Sequence, residues 1–248
     1  MDIWEQPGSD VRLEWGGEGV AALGGSCSVL VVVDVLSFST TTDLVTARGG
    51  RVLPVRWRDE RGVAEARGAG AVVAGEGAWT LRPSSVTEIP SGTLLALPSP
   101  NGATLCAAAA ATGAHVLAGC LRNASAVAAK AHELADGGAI GVIPGGERWG
   151  VDMLGEGKEF GPLRPCAEDQ LGAGAIVAAL LRRGRSASPE AALAAAAYTA
   201  TDVAAALRGC SSGRELAATG HENDVTLAAR VDVSETAPVL SAGILEGK

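Results

Sequence analysis

The sequence VLVVVDVLSFSTTT, residues 29–42, places one carboxylate, Asp34, between an apolar run and a group of hydroxyls. The hydroxyl side chains are those of Ser37, Ser39, Thr40, Thr41 and Thr42. The apolar run is typical of a strand that is buried on both faces, and the residues after it predict the start of a helix. Ligands of open α/β sheets bind at such a junction, and the free amide protons of a helix N-terminus attract anions. The carboxylate could bind a metal ion, and the neighbouring donors could bind an anion. Together they indicate a site that binds a phosphate with a divalent cation.

Three further segments carry polar side chains directly after predicted strands. They are Gly75-Glu76-Gly77, Ser99-Pro100-Asn101-Gly102, and Glu147-Arg148 continuing to Glu168-Asp169. If the sheet is parallel, these loops share one edge with Asp34 and their side chains converge. Converging carboxylates without a lysine cluster repel one another, and Mg²⁺, which prefers oxygen ligands, would remove that repulsion. Such an ion polarises a phosphoryl oxygen, and Arg148 could neutralise charge on the phosphoryl group.

Each of these features also has a purely structural interpretation. Asp34 could cap the following helix, and the hydroxyls could be ordinary capping and packing residues. Asn101-Gly102 is a common turn dipeptide, Glu168-Asp169 suits the first turn of a helix, and Glu76 could be a solvated residue between glycines.

Strand and helix patterns alternate along the whole chain, which predicts an α/β fold with a mostly parallel sheet that can include antiparallel strands. No repeat or linker divides the sequence, so we expect a single domain over residues 1–248. The predicted strands cover residues 11–14, 29–33, 51–55, 71–74, 93–97, 115–118 and 139–143. The predicted helices cover residues 40–48, 58–69, 124–134 after Asn123 as N-cap, 171–181, 189–207 after Ser188 as N-cap, and 211–219. A further predicted helix follows the turn PSPNGATL and ends near Thr112.

Composition excludes several classes of function. The formal charge of −8 over 248 residues, with no basic run, argues against a nucleic-acid partner. No segment has the apolar length of a membrane helix, and the N-terminus has no secretory signal pattern. The five cysteines are scattered and suit free thiols, and the histidines suit structural roles. We therefore expect a cytoplasmic protein with no membrane partner. The P-loop, dinucleotide-binding and nucleophile-elbow motifs are all absent.

Seven segments, taken in order and spacing, resemble the successive motifs of the 2-phosphosulfolactate phosphatase (ComB) family over residues 29–240. They are DVLSFSTTT, Gly75-Glu76, PSPNGATL, LRNASAVA, IPGGERW, LRPCAEDQLGAGAI and SGRELAATGHENDVTLAARVD. The resemblance implies a three-layer α/β/α architecture and an Mg²⁺-dependent phosphatase. The implied reaction releases phosphate from 2-phosphosulfolactate to give sulfolactate, a step toward coenzyme M.

The resemblance extends to individual residues. It matches Asp34, the hydroxyls that follow it, the turn at Asn101 and Gly102, the Asn123-Ala124 pair, the Gly146-Glu147-Arg148 loop and the Glu168-Asp169 pair. The expected catalytic residues are Asp34, Glu147 and Arg148. The expected substrate-binding residues are Ser39, Thr40, Thr41, Asn101, Gly102, Asn123 and Arg148. The expected ligands of Mg²⁺ are Asp34, Glu76, Glu147, Glu168 and Asp169.

Two departures from the family pattern concern the substrate. Ser37 stands where the family usually has an arginine, so a guanidinium for phosphate or sulfonate is missing there. The segment TLRPSSVTEIP replaces the family's residues after the Gly-Glu loop. The substrate is therefore a small anionic phosphomonoester, either 2-phosphosulfolactate or another small phosphorylated acid. A non-catalytic protein that binds an anion or metabolite is the alternative from another class, and a homodimer is the default assembly.

Overall fold

Short runs of valine, leucine and isoleucine form the strands of a large central sheet, which helices cover on both faces. The computed structural model describes residues 3–149 and 161–248. The strands are β1 (Val11–Leu13), β2 (Val29–Val33), β3 (Arg51–Val55), β4 (Val72–Val73), β5 (Leu94–Pro98), β6 (His115–Gly119), β7 (Ile140–Pro144), β8 (Glu147–Arg148), β9 (Leu163–Arg164), β10 (Pro238–Ser241) and β11 (Ile244–Gly247). The α-helices are α1 (Gly16–Leu23), α2 (Phe38–Thr46), α3 (Glu60–Gly68), α4 (Gly102–Ala110), α5 (Ala124–Ala135), α6 (Ala167–Leu181), α7 (Pro189–Thr199), α8 (Val203–Gly209), α9 (Ser211–Ala218) and α10 (Glu222–Ala228).

Strand β2 shows how the layers form. Its alternate residues Val29, Val31 and Val33 belong to a core cluster with α5, α6 and α7. Leu30 and Val32 point the other way, into a second cluster with α1, α2 and α4. Because both faces of the strand are buried, the sheet lies between two helical layers. The three-layer α/β/α prediction is confirmed.

The large sheet is mixed and mostly parallel, as predicted. Its strand order is β1-β7-β2-β6-β10-β11-β3-β5-β4, and β8 and β9 form a separate antiparallel pair. Strands β1, β7, β2 and β6 pair in parallel and form a first parallel group. Strands β3, β5 and β4 pair in parallel and form a second parallel group. The antiparallel hairpin β10–β11 joins the two groups.

This hairpin reverses the strand direction between the two groups. Strand β10 is antiparallel to β6, β11 to β10, and β3 to β11, so β3 runs opposite to β6. The loops after β2 and β5 therefore do not share one edge of a uniformly parallel sheet. Five steps separate these strands, and a twist of about 20–25° per step rotates β5 by roughly 100–125° relative to β2. The segments after the two strands nevertheless meet, since the Gly102 N–H after β5 donates to Asp34 Oδ2 after β2.

Several element boundaries differ from the prediction. Helix α2 begins at Phe38 rather than residue 40, and α6 begins at Ala167 rather than residue 171. The predicted helix over 189–207 is two helices, because Asp202 caps a new helix through its bond from the Ala205 N–H. The predicted Ser188 cap with Pro189 in the first turn is confirmed. No helix in the described ranges is long and apolar enough to span a membrane.

Candidate active site

Asp34 lies immediately after β2 and joins the N-termini of two helices. Its Oδ1 accepts a hydrogen bond from the Phe38 N–H of α2 at 3.3 Å, and its Oδ2 accepts one from the Gly102 N–H of α4 at 2.9 Å. The Asp34 N–H in turn donates to Ser39 Oγ at 3.0 Å. Both carboxylate oxygens therefore face the positive ends of helices, where a negative charge is stabilised.

Burial raises the pKa of Asp34 to about 6, and the charges of Glu147 and Glu168 act in the same direction. The two backbone N–H bonds, from Phe38 and Gly102, act in the opposite direction because they stabilise the ionised form. Asp34 is 6% exposed and lines the cavity described below. A carboxyl that changes charge near neutral pH at the floor of a cavity is a candidate functional group.

Glycine at position 102 is required by close packing. A Cβ atom built there would lie 2.4 Å from Phe38 Cδ1 and 2.5 Å from Phe38 Cγ. Only a residue without a side chain lets the first turn of α4 come close enough for its N–H to reach Asp34. The Asn101-Gly102 sequence is thus more than a turn.

Asp169 occupies a similar position in the first turn of α6. Its Oδ1 accepts from the Val35 N–H at 2.7 Å and its Oδ2 from the Gly146 N–H at 2.8 Å. Burial raises the pKa of Asp169 well above its ordinary value, and the neighbouring charge of Asp34 raises it further. Glu168 beside it is also buried. The charges of Asp34 and Glu168 both act on Asp169, so these three carboxylates lie near one another, and their binding of a shared metal ion stays a prediction.

Glu147 on β8 is bound to Asn101, a residue from a distant loop. Asn101 Nδ2 lies 3.2 Å from both Glu147 Oε1 and Oε2, and Oε1 also accepts from the Arg148 N–H at 2.8 Å. Both Asn101 and Glu147 line the cavity. Two residues that the sequence identified separately thus form one polar unit on the cavity wall.

Asp34, Asn101 and Glu147 face a cavity of about 610 Å³, whereas Glu168 and Asp169 are not among its described lining residues. Loops after β2, β3, β4 and β5 meet around it, together with β8, β9 and the region of α9. The lining is formed by Asp34, Leu36, Ser37, Trp57, Arg58, Asp59, Val63, Val73, Ala74, Gly75, Glu76, Thr80, Leu81, Arg82, Pro98, Ser99, Pro100, Asn101, Glu147, Arg164, Ser212, Glu215, Leu216 and His221. A volume of this size suits a small-molecule ligand.

The three hydroxyls expected to bind substrate are turned into the protein interior and are outside this lining. Ser39 Oγ accepts from the Asp34 N–H, Thr40 Oγ1 donates to the Val35 carbonyl at 2.7 Å, and Thr41 Oγ1 donates to the Leu81 carbonyl at 2.6 Å. All three residues are fully buried. Their contacts support the loops around Asp34, and direct substrate binding by them stays a prediction.

Other predicted site residues lie apart from the carboxylates. Glu76 lines the cavity but is partly exposed and forms an ion pair with Arg67 at 3.2 Å. Asn123 is fully buried, and its side chain accepts from the Cys120 N–H at 2.9 Å and donates to the Thr236 carbonyl at 3.1 Å. It occupies the predicted N-cap position of α5, although its side chain makes no capping bond to that helix.

The predicted arginine, Arg148, is not among the lining residues, whereas Arg164 is. Successive side chains of a strand point to opposite faces, so Arg148 faces away from its neighbour Glu147. Arg164 is the residue paired with Glu147 in the β8–β9 ladder. The loop between these strands includes residues 150–160, which are outside the described residues.

Sequence reasoning missed most of the cationic lining, namely Arg58, Arg82, Arg164 and His221. Arg82 belongs to the segment that departs from the family pattern, and His221 precedes α10. No local motif marks these residues, because sheet topology and loop contacts bring them together.

The donor set fits a hard divalent cation in its chemistry. Four carboxylates, those of Asp34, Glu147, Glu168 and Asp169, interact electrostatically. Each oxygen of Asp34 and Asp169 accepts one N–H and retains a second lone pair, as Mg²⁺ ligands require. Within residues 3–149 and 161–248, no three His, Cys, Asp or Glu side chains are already arranged to hold a metal.

Comparison with known proteins identifies a family. A protein-family model described as 2-phosphosulpholactate phosphatase matches residues 23–243. A search of curated proteins finds no significant match. The matched range runs from the end of α1 to the turn of the β10–β11 hairpin, and it includes every residue discussed at this site.

Proposed function

Because the chain belongs to the 2-phosphosulfolactate phosphatase family and is a phosphatase by that membership, we propose that it hydrolyses 2-phosphosulfolactate in the cavity above Asp34, with Mg²⁺ as cofactor. The observation that carries this proposal is the position of Asp34. It lies at the cavity floor, bonded to the N-termini of α2 and α4 and coupled to further carboxylates.

In the proposed site, Asp34, Glu147, Glu168 and Asp169 supply the ligands of Mg²⁺. When bound, the ion neutralises the carboxylates and polarises a phosphoryl oxygen. The described geometry supports this set because Asp34, Glu168 and Asp169 are buried and the charges of Glu147 and Glu168 act on Asp34. In the ranges that the structure describes, none of the four forms an ion pair with lysine.

Glu147 is our candidate for the general base. Asn101 fixes its carboxylate, and the Arg148 N–H occupies Oε1, which leaves Oε2 the freer oxygen to take a proton from an attacking water. Arg164, opposite Glu147 on the ladder, can neutralise charge that develops on the phosphoryl group. The hydroxyls of Ser39, Thr40 and Thr41 hold the loops around Asp34 in place through their bonds to backbone groups.

The test is phosphate release from 2-phosphosulfolactate with Mg²⁺. We expect turnover by the wild type, and a loss of at least about 100-fold in kcat for Asp34→Asn, because one carboxylate charge at the floor is removed. Asp136→Asn is a matched control: it removes an exposed carboxyl at a left-handed position that asparagine tolerates. Equal activity of the two variants, or no phosphate release by the wild type from any anionic phosphomonoester, would refute the proposal.

Attack by Asp34 itself is the alternative route for the same reaction. Mass spectrometry of acid-quenched enzyme distinguishes the routes, because only attack by Asp34 gives a phosphorylated carboxylate, whose phosphate a later attack of water releases. A phosphorylated Asp34 would replace Glu147-assisted attack of water on the substrate with the covalent route.

A phosphatase for another small phosphorylated acid is the second candidate function. Ser37 lines the cavity where the family resemblance implies an arginine, and this change favours an altered preference. A panel of phosphorylated three- and four-carbon acids, compared by kcat/KM, ranks the two candidates.

A further inference from the structure

The cavity has two chemically different sides. Asp34 and Glu147 form an acidic floor with Arg164 beside them, and Arg58 and Arg82 line the cavity elsewhere, with His221 beside Arg82. The lining also includes Glu215, and Asp59 and Glu76, which form ion pairs with Arg61 and Arg67. At about 610 Å³ the cavity has room for more than a phosphoryl group. A ligand that fills it meets the carboxylates of the floor and, away from them, the guanidinium groups of Arg58 and Arg82.

The lining arginines have no carboxylate partner among the described residues, a property they share with several arginines elsewhere on the protein. Arg61, Arg67 and Arg122 each form an ion pair with a carboxylate. Within the described part of the chain, no carboxylate lies within ion-pair distance of Arg58, Arg82 or Arg164. Because an anionic ligand would supply the missing counter-charge, the unpaired guanidinium groups favour an acid as the occupant of this side.

Arg82 is the best positioned of the three. Its Nη1 lies 2.6 Å from His221 Nε2 and 2.9 Å from Nδ1. Since arginine can only donate, a ring nitrogen of His221 is the acceptor in this contact. The contact restrains the half-buried Arg82 side chain without neutralising its charge.

The backbone on either side of Arg82 is also fixed. The Thr41 hydroxyl of α2 donates to the Leu81 carbonyl at 2.6 Å, and the Ser84 N–H donates to Asp224 Oδ1 of α10 at 2.7 Å. Asp224 is fully buried. The segment is therefore anchored to α2, whose N-terminus bonds to Asp34, and to α10, which follows His221. These bonds place the guanidinium before any ligand arrives.

Arg164 and Arg82 have different surroundings. Arg164 pairs with Glu147 in the ladder and so belongs to the acidic floor, where the phosphoryl group would react. Arg82 comes from the loop after β4 and contacts the α9–α10 turn instead.

We propose that Arg82, positioned by His221, binds the non-reacting acid group of the substrate, so that the enzyme selects phosphomonoesters that carry a second carboxylate or sulfonate. This inference rests on the proposed function and adds a specificity-determining residue to it. A planar guanidinium can bind either acid group through two parallel hydrogen bonds.

The test is binding of sulfolactate, an acid without a phosphate, to the Mg²⁺-supplemented protein by titration calorimetry. We expect Arg82→Gln to weaken binding at least about tenfold and Arg82→Lys to retain part of it, since lysine keeps the charge but not the bidentate geometry. Arg183→Gln removes an exposed arginine at the end of α6 and serves as the control. Thermal melting of each variant verifies that it is folded.

Hydrolysis gives a second readout. The ratio of kcat/KM for 2-phosphosulfolactate to that for p-nitrophenyl phosphate should fall at least tenfold in Arg82→Gln, mainly through KM. An unchanged ratio together with unchanged sulfolactate binding would overturn the inference and leave the phosphatase activity standing. If the wild type hydrolyses neither ester, the proposed function fails, and sulfolactate binding alone then decides the role of Arg82. In that case, no sulfolactate binding by the wild type, or equal binding by wild type and Arg82→Gln, would refute the role of Arg82.

Discussion

At the scale of a single residue, the surroundings of Asp34 act on its charge in opposite directions. Its surroundings bury it beside other acids, which disfavours the charge, while two helix N-termini stabilise the charge. The rise in its pKa from 3.8 to about 6 corresponds to roughly 3 kcal/mol of unfavourable free energy when the group is ionised. The protein therefore keeps a costly charge where the proposed chemistry needs one.

This cost predicts a pH dependence of stability in the absence of divalent cations. Between pH 3.8 and about 6 the folded state binds more protons at Asp34 than the unfolded state does, so the contribution of Asp34 to the free energy of unfolding falls as the pH rises. Above pH 6 the full penalty is present. Urea denaturation in EDTA at pH 4.5 to 8 should show this fall in the wild type.

The Asp34→Asn variant lacks this titrating group and also its charge, which raises the pKa of Asp169. The stability difference between wild type and variant should therefore change with pH over the range in which the two carboxyls titrate. Parallel pH curves for the two proteins would show that Asp34 does not titrate in this range.

The residues of the site were predictable to the extent that they sit in local motifs. Asp34 follows an apolar run, and Asn101 and Glu147 each follow a strand, so strand-end logic found them. The same reasoning assigned the hydroxyls to substrate binding. It cannot tell a hydroxyl that faces the cavity from one that bonds to a backbone carbonyl, as that of Thr40 does. Arg82 was missed because its partner, His221, is 139 positions away in the chain.

At the scale of elements, the site depends on how closely α4 approaches α2. Gly102→Ala should place a Cβ 2.4 Å from Phe38 Cδ1, which forces the two helix N-termini apart. We expect a loss of about 1–3 kcal/mol in stability and a fall in kcat, since the bond from the Gly102 N–H to Asp34 lengthens. Urea denaturation and steady-state kinetics measure the two effects.

Gly17→Ala is the matched control, because the space around that helical glycine is open. Alanine there should stabilise α1 by about 0.5–1 kcal/mol. A Gly102→Ala protein that is as active as the Gly17→Ala protein would contradict the proposed importance of the contact.

The elements themselves were predictable where burial produces a clear pattern. Strands β2 and β3 have the predicted bounds, because runs of β-branched residues enclosed by turn residues have few alternatives. Helix α1 was missed since three of its eight residues are glycine, a poor helix former. The β10–β11 hairpin and the two-residue strands β8 and β9 were missed because they owe their form to distant partners.

At the scale of the whole molecule, a buried ion pair connects distant parts of the chain. Arg122, just after β6, donates to Asp43 of α2 at 2.8 Å, and its Nη1 donates to the Leu227 carbonyl of α10 at 3.1 Å. The Arg122 carbonyl accepts from the Val233 and Ser234 N–H groups. One arginine thus links a strand end, a helix of the opposite layer and the C-terminal segment.

Removing one partner of this pair should be more harmful than removing both. Asp43→Asn leaves the buried Arg122 charge uncompensated, which should cost about 3–5 kcal/mol, whereas Asp43→Leu combined with Arg122→Met should cost less. Chemical denaturation of the single and double variants measures the difference. Additive losses in the double variant would show that the two residues stabilise the protein independently.

The two bonds of Asp34 have a consequence for the cohesion of the sheet. One comes from a helix that follows a strand of the first parallel group, and the other from a helix that follows a strand of the second. An ionised carboxylate accepts both bonds more strongly than a protonated one. Thermodynamic linkage is reciprocal, so any ligand that keeps Asp34 ionised also opposes separation of the two groups, by the same free energy. A ligand bound in the cavity and the contact between the two strand groups therefore stabilise each other through the Asp34 side chain.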